Sequence, residues 1–249
     1  MTPASPAISV VIPVFNEEAI LSTAVRELAS ALDARGWDYE ILLSENGSRD
    51  GTGDVLEALA REMPRVRFLR SPEPNYGLAL RRGIVEARGR WVVADEIDLC
   101  DPTFYDRALP LLEGGGADMV VGSKRARGSV DGRPAIRRLA TWVHNTLLRV
   151  ALGFRGTDTH GVKAFSRERI APVAARCVVD RDVFASELVL RAGLEGKRVV
   201  EIPIQLREKR PPSVALLRRV PNVLRQVARL FWVLRVRAPV RRGPAEAGE

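Results

Sequence analysis

The chain holds only two cysteines and two histidines in 249 residues. Cys100 and Cys177 lie far apart and match no metal-binding spacing, so they read as reduced structural thiols of a cytosolic protein. No apolar run reaches the ~18–20 residues needed to span a bilayer. The opening MTPASPA lacks a basic stretch followed by a long apolar core, so it does not read as a signal peptide. No G-x-G-x-x-G follows the first apolar run and no G-x-x-x-x-G-K-[ST] occurs, which excludes dinucleotide-binding and P-loop readings. There are no internal repeats. Acidic residues are scarce near the C-terminus: Gln205–Arg242 holds eleven Lys/Arg and one carboxylate. The chain carries a net charge of +8, so the remainder is close to neutral. A neutral domain with a basic tail points to a polyanion or an anionic membrane surface. No recognised motif accompanies the charge, so a nucleic-acid partner is not expected.

What is present has the balance of an ordinary globular protein, 46% apolar and 28% charged. Ile8–Val14 is a β-branched run that reads as a buried parallel strand. Helical periodicity follows over Glu17–Leu32, with acidic residues in the first turn. Strands are expected at Tyr39–Leu43, Val66–Leu69, Trp91–Ala94, Asp118–Gly122, Val162–Phe165 and Val199–Leu206. Helices are expected at Thr52–Arg61, Tyr76–Ala87, Ile136–Leu152 and Phe184–Leu194. The alternation predicts an α/β fold with a mostly parallel central sheet flanked by helices. Pro211–Pro212 breaks the chain, and a basic amphipathic helix follows over Val220–Leu234. The organisation read here is a domain over 1–210, a basic amphipathic segment over 211–238 and a disordered tail over 239–249.

Several strings put polar groups just after apolar β-like runs, where an open α/β sheet builds its ligand crevice. In DEIDLCDP (Asp95–Pro102), Glu96 and Asp98 are two apart and share one side if the strand continues. Two carboxylates there can hold Mg²⁺ or Mn²⁺ and leave coordination sites for a diphosphate. The plainer reading is a capping loop, with Asp101 as N-cap before Pro102. In ENGSRDGT (Glu45–Thr52), Glu45 and Asn46 can hydrogen-bond a base or ribose, and Asn-Gly and Asp-Gly also make turns. Gly77, after Asn75, allows a backbone to approach a ligand closely. Lys124, Arg125 and Arg127 on a Gly-flanked loop suit phosphate, or form a solvated charge run. Asp158 and His160 sit between glycines in GTDTHG. Asp180, Asp182 and Glu187 flank the helix SELVLRAG, as helix caps or as a general base for a hydroxyl acceptor. His144 lies inside a helical pattern and reads as packing or surface.

VIPVFNEE, ENGSRDGT, NYGLALRRG, EIDLCDP, GADMVVGSKRARG, GTDTHGVKAF, FASELVLRAG and EIPIQLREKR occur in the order of glycosyltransferase family 2. Over Ile8–Arg210 the chain most resembles the family's polyprenyl-phosphate sugar transferases. The resemblance implies a GT-A fold and a metal-dependent, inverting reaction on a nucleotide-sugar. Carried over by position, Pro13, Asn16 and Glu17 would line the nucleotide pocket, with Glu45 and Asn46 at the family's paired acidic positions. Glu96 and Asp98 take the Asp-x-Asp metal positions. Lys124 falls where the family has an arginine near the phosphates. Asp158 matches an acidic residue of the acceptor-side loop, and Glu187 the glutamate that opens the later helix. Lys209, with Arg210 beside it, falls near an arginine that holds phosphate. The chain departs from the pattern at Glu-Asn for the paired aspartates and at Glu-x-Asp, whose first carboxylate reaches ~1.5 Å farther. Asp95 could substitute for it after a small register change. Cys100 sits where an amide often assists the metal.

The expected reaction is hexose transfer from a GDP-mannose or UDP-glucose type donor to a polyprenyl phosphate. It would take place peripherally at the inner face of the cell membrane, with the Val220–Leu234 helix holding the anionic leaflet or packing on the domain. Two alternatives stand beside it. One is a hydroxyl acceptor served by Asp182, Asp158 or His160 as base. The other is a GT-A domain without turnover that binds a nucleotide-sugar or a partner.

Overall fold

The run ISVVIPV forms β1 (Ile8–Val14), the strand around which the sheet is built. It pairs in parallel with β2 (Tyr39–Glu45) and with β4 (Trp91–Ala94). The computed structural model describes residues 5–132, 134–206 and 216–237. Beyond β2 lies β3 (Val66–Leu69). Beyond β4 lie β7 (Lys163–Ser166), β5 (Met119–Ser123) and β8 (Val199–Pro203), giving the order β3-β2-β1-β4-β7-β5-β8. β7 runs antiparallel to β4 and β5, and every other pairing in this sheet is parallel. Two short strands, β6 (Val130–Asp131) and β9 (Gln205–Leu206), pair separately.

Both sheet faces are covered, which is why β1 and β2 read as nearly unbroken apolar runs. Alternate side chains of β1 divide between two cores. Val10, Ile12 and Val14 join Leu21, Val25 and Leu28 of α1 (Leu21–Asp33), Leu56 of α2 (Thr52–Glu62) and Phe104 of α4 (Pro102–Glu113). Val11 faces Leu80 and Ile84 of α3 (Tyr76–Glu86), Leu148 of α5 (Ala135–Leu152), Ile170 of α6 (Arg167–Ala175) and Leu188 of α7 (Phe184–Leu194). Val227 and Leu230 of α8 (Leu216–Phe231) join that second core, as does Leu234 in the π-helical turn Trp232–Arg237.

Most elements stand where the periodicity puts them, but α4 and the short β6 were not among those expected, and three others differ. α1 begins at Leu21, because Glu17 to Ile20 form a turn in which the Glu17 carbonyl accepts from Ile20 and Leu21 N–H. The acidic pair Glu17–Glu18 is therefore in the loop at the sheet edge, outside the helix. α6 carries Pro172 inside it, which hides its helical character in the sequence. The expected strand Val199–Leu206 divides at Ile204 into β8 and β9. The proposed boundary at 210/211, the tail 239–249, and Lys209 and Arg210 lie outside the described residues.

The carboxyl ends of β1, β2, β4 and β5 lie on one edge of the sheet, together with the loop that enters the antiparallel β7. That loop is pressed onto the sheet. A Cβ added at Gly161 would stand 1.7 Å from the carbonyl oxygen of Gly122. Gly161→Ala is therefore expected to destabilise by about 3 kcal/mol or more, because backbone has to move. Gly36→Ala, at φ +65° with nothing nearby, should cost only ~1–2 kcal/mol. Urea denaturation of the two variants side by side measures the difference.

Candidate active site

The first two loops at this edge clamp each other. Asn16, at φ +54°, donates its N–H to Ser48 Oγ at 2.9 Å and accepts Arg49 N–H on its Oδ1 at 2.9 Å. Glu17 N–H donates to Thr52 Oγ1 at 2.9 Å. Pro13 is half-buried at the end of β1. Glu45 and Asn46 are buried. Glu45 Oε1 accepts Ser48 N–H, and Asn46 Oδ1 accepts Asn75 N–H. The amide at position 46 thus ties the β2 loop to the start of α3. A hollow of about 700 Å³ lies against Asn16, Glu17, Glu18, Ala19, Ile20 and Asp50. Gly77 plays a different part from the one expected. A Cβ there would meet Arg181 N at 2.6 Å and Phe184 Cβ at 2.7 Å, so its space is taken by the protein itself.

The β4 loop holds the carboxylates. Asp95 is turned inward, accepting Tyr105 Oη–H at 2.7 Å and Glu96 N–H at 2.7 Å. Burial pushes its pKa up to about 7. With both oxygens engaged, Asp95 does not stand in for Glu96. Glu96 is exposed and Asp98 half-buried. The crowded wall around Glu96 and the charge of Asp98 raise its pKa, and Lys124, Lys163 and a bond from Tyr76 lower it. Tyr76, at the start of α3, is partly exposed, and its crowded surroundings together with the charges of Glu96, Asp95 and Asp98 raise its hydroxyl above an ordinary phenol. These groups lie within electrostatic reach of one another at the carboxyl edge of the sheet, a region called the crevice below.

Among the described residues, no three His, Cys, Asp or Glu side chains gather as a complete metal cage. Two carboxylates close enough to feel each other's charge, with hard oxygen donors, fit one divalent cation provided the substrate supplies the other oxygens. Mutual repulsion in Glu96 and Asp98 is relieved by a cation between them.

Across the crevice, Asp158 is fully buried. Lys124 donates to it from its backbone N at 3.2 Å and pairs with it ionically from Nζ at 3.5 Å, and His160 N–H donates at 2.9 Å. Burial pushes the carboxyl up, but the ammonium and the N–H groups outweigh it and hold the pKa at about 2. Of the three cations after β5, only Lys124 turns inward; Arg125 and Arg127 are exposed.

The remaining acid–base candidates are engaged elsewhere. Glu187 is fully buried; its Oε2 accepts Val178 and Val179 N–H, each at 2.8 Å, and its Oε1 takes the Arg191 guanidinium. It anchors α7 and offers no open oxygen. Asp180 Oδ2 accepts from Asn75 at 2.9 Å, and Asp182 Oδ2 from Asn222 of α8 at 3.4 Å. His160 Nε2 stands 3.2 Å from the carbonyl oxygen of Asp182, which can only accept. That nitrogen carries the proton, and Nδ1 accepts from Thr159 Oγ1 at 3.1 Å. The crowded surroundings of the ring and the charges of His144 and Lys124 lower its pKa. The neutral ring has no nitrogen left to serve as a base. His144, whose ring stacks edge-on to His160 at 5.0 Å, bonds Ser186.

Sequence reasoning missed Tyr76 and Lys163. Tyr76 opens a helix, and nothing in its neighbours marks the carboxylates it faces. Lys163 had a signal: a lone charge inside the apolar strand VKAF, where burial is expected.

A second cavity, about 630 Å³, lies at the opposite sheet edge and is lined by Arg88, Arg90, Arg167, Arg169 and Arg198 among others. It touches none of the loops above. On α5, Ile136, Leu139, Trp142, Val143 and Val150 are exposed; on and after α8, so are Leu224, Phe231, Trp232 and Val236. Among the described residues, no helix is long and apolar enough to cross a membrane.

The sequence profile of glycosyl transferase family 2 matches residues 9–171. Among curated proteins, glycosyltransferase AglD of Haloferax volcanii is 29% identical over 246 residues, 97% of this chain and 39% of the relative. Undecaprenyl-phosphate mannosyltransferase of Micrococcus luteus is 29% identical over 210 residues, 80% of this chain and 83% of the relative. The chain thus spans well under half of the archaeal relative. Mannosyl-3-phosphoglycerate synthase of Rubrobacter xylanophilus superposes with a TM-score of 0.64 at 19% identity, covering 96% of this chain and 78% of that one. Glucosyl-3-phosphoglycerate synthase of Mycobacterium tuberculosis, solved with Mn²⁺, UDP-glucose and phosphoglyceric acid, gives 0.64 at 22%, covering 92% and 79%. At these identities the structural likeness shows the fold.

The Lys124–Asp158 pair sets an acid limit on stability. Asp158 falls from an ordinary 3.8 to about 2. A depressed carboxylate stabilises fully above its unfolded pKa, and that contribution, about 2 kcal/mol, is lost as pH falls from about 4 through 2. Lys124→Met removes the cation that opposes burial. Urea melts at stepped pH should show the acid decline beginning at least about one pH unit higher in the variant.

Proposed function

The chain belongs to glycosyltransferase family 2 and has its GT-A fold, and from that premise we propose that it transfers a hexose from a nucleoside-diphosphate sugar to a polyprenyl phosphate. The observation that carries the reading is the crevice itself. Carboxylates able to share a divalent cation, Glu96 and Asp98, follow β4, and Lys124, whose charge reaches Glu96, follows β5, with β7 lying between the two strands. A phosphate monoester has a second pKa near 6, so the acceptor arrives as an oxyanion and needs no base. That agrees with the engagement of Asp158, His160 and Glu187 elsewhere. A hydroxyl acceptor would need a base that these residues do not offer.

In this reading Glu96 and Asp98 hold Mg²⁺ or Mn²⁺, which supplies positive charge against the departing diphosphate. Tyr76 stands near enough to Glu96 for the two to shift each other's proton affinity. Pro13, Asn16, Glu17, Glu45 and Asn46 form the nucleotide wall, preset by the bonds between their loops. Lys124, fixed by Asp158, lowers the repulsion between the anionic acceptor and the donor. Lys209 and Arg210 would add to that charge. Asp182 is a spectator to proton transfer.

Support for a lipid acceptor comes from the surface beside the crevice. α5, α8 and the turn after it carry Trp142, Phe231 and Trp232 exposed. Over 135–152 and 216–237 every charged side chain is arginine. Apolar and aromatic groups ringed by arginine suit an anionic bilayer interface. The Micrococcus relative's name also specifies an undecaprenyl-phosphate substrate.

The decisive assay pairs labelled UDP- and GDP-sugars, with Mn²⁺, against a short polyprenyl phosphate and against soluble sugars and phosphoglycerate. Lipid-linked product is expected, reduced on the order of a hundredfold in Asp98→Ala. Product on soluble acceptors alone would overturn the acceptor. Flotation with vesicles tests the surface: the double variant Trp142→Asp, Trp232→Asp should bind anionic vesicles about tenfold more weakly or worse. Wild-type binding should fall with added salt.

A further inference from the structure

Lys163 has no part in the scheme above. It lies on β7 in the interior of the sheet, opposite Ala94 of β4 and Val121 of β5. It is 3% exposed. A lysine is almost never buried so completely without a partner. Its Nζ donates to the carbonyl oxygen of Gly161 at 2.7 Å. That bond leaves two ammonium donors and a full charge. Ala94 ends β4, so the lysine stands beside the strand that delivers Asp95, Glu96 and Asp98. Gly161 closes the loop that carries Asp158. Burial lowers the Lys163 pKa to about 8, with Asp158, Glu96 and Asp95 acting to hold the charge and Lys124 opposing it.

A fixed cation at this point acts unequally on what enters the crevice. A free divalent ion seeking Glu96 and Asp98 is repelled. A diphosphate is attracted. On a metal–diphosphate pair, whose charges nearly cancel, the same ammonium has little net effect. We propose that Lys163 is a positioning residue of the donor site, a resident cation that disfavours metal alone, favours the diphosphate, and so lets metal enter with the nucleotide. This rests on the metal–diphosphate reading of the crevice given above. The short bond to Gly161 keeps the ammonium in place, and the buried stem prevents it from swinging out to solvent.

The test measures binding, without turnover. Mn²⁺ uptake without nucleotide is followed by electron paramagnetic resonance of the free ion. Binding of UDP and GDP in EDTA is followed by calorimetry. Lys163→Met keeps the volume and removes the charge. It should bind Mn²⁺ about fivefold to tenfold more tightly and the nucleotide more weakly by a similar factor, the size of a one-unit electrostatic shift. Lys163→Arg should restore both toward wild type. A purely structural lysine would weaken both ligands together, and that result, or unchanged Mn²⁺ binding, overturns the proposal. Should the methionine variant not fold, Lys163→Gln is read the same way. Wild type showing no Mn²⁺-assisted uptake of UDP or GDP sinks the donor-site reading itself. Wild type showing it, with the neutral variants unchanged, sinks only the role of Lys163.

Discussion

Asp158 holds the site together. A carboxylate with no exposed surface is costly to desolvate, and it stays ionised here because Lys124 and the His160 N–H surround it. These bonds join two loops that leave different strands, one after β5 and one before β7. The lysine that would meet an anionic acceptor is thereby held in one orientation. Thr157 and Ser123 extend the link through their hydroxyls at 2.7 Å, and Glu201 of β8 takes the N–H of Thr157 at 2.7 Å. The Lys124–Asp158 side of the crevice is thus a polar network whose bonds cross between loops, and such buried networks rigidify a site.

The opposite side, around the β1, β2 and β4 loops, is organised by backbone strain as well as by bonds. Among the described residues, the non-glycine positions with positive φ are Asn16, Cys100 and Arg181. Asn16 ends the turn from β1, Cys100 lies in the carboxylate loop, and Arg181 packs over α3. Such conformations persist only where surrounding contacts dictate them, and they gather at ligand sites. Asn16 is fixed by Ser48 and Arg49, and Arg181 by a 3.0 Å bond from its N–H to Asn75 Oδ1. Cys100 has no amide to offer a metal; its Sγ lies 3.5 Å from the Glu96 carbonyl. Loops locked in this way present their side chains to a substrate with little entropy left to lose.

Of the two roles the sequence allowed for α8, packing on the domain is the one the contacts show. Val227, Leu230 and Leu234 bury one side of it in the second core, while Leu224, Phe231 and Trp232 remain outside. Asn222 reaches Asp182, and Arg235 donates to the Leu152 carbonyl at 2.9 Å. The exposed apolar groups of α8 are therefore tied through these contacts to the Asp182 loop and to the end of α5.

Period and motif order were enough to read the α/β class, the parallel core of the sheet and the loops that carry chemistry. Buried strands and amphipathic helices announce themselves through local residue spacing, and the GT-A signature is a linear string. The roles inside those loops were decided by tertiary structure. Glu187 and His160 look alike in the sequence as possible bases, yet one is consumed by Arg191 and two backbone amides, and the other by Asp182 and Thr159. Gly77 looks like a ligand contact and is a packing contact with Phe184. Tyr76 and Lys163 meet the carboxylates only because α3 and the reversed strand β7 bring distant segments beside β4. Charge, burial and proton affinity depend on neighbours in space, and a linear pattern does not record those neighbours.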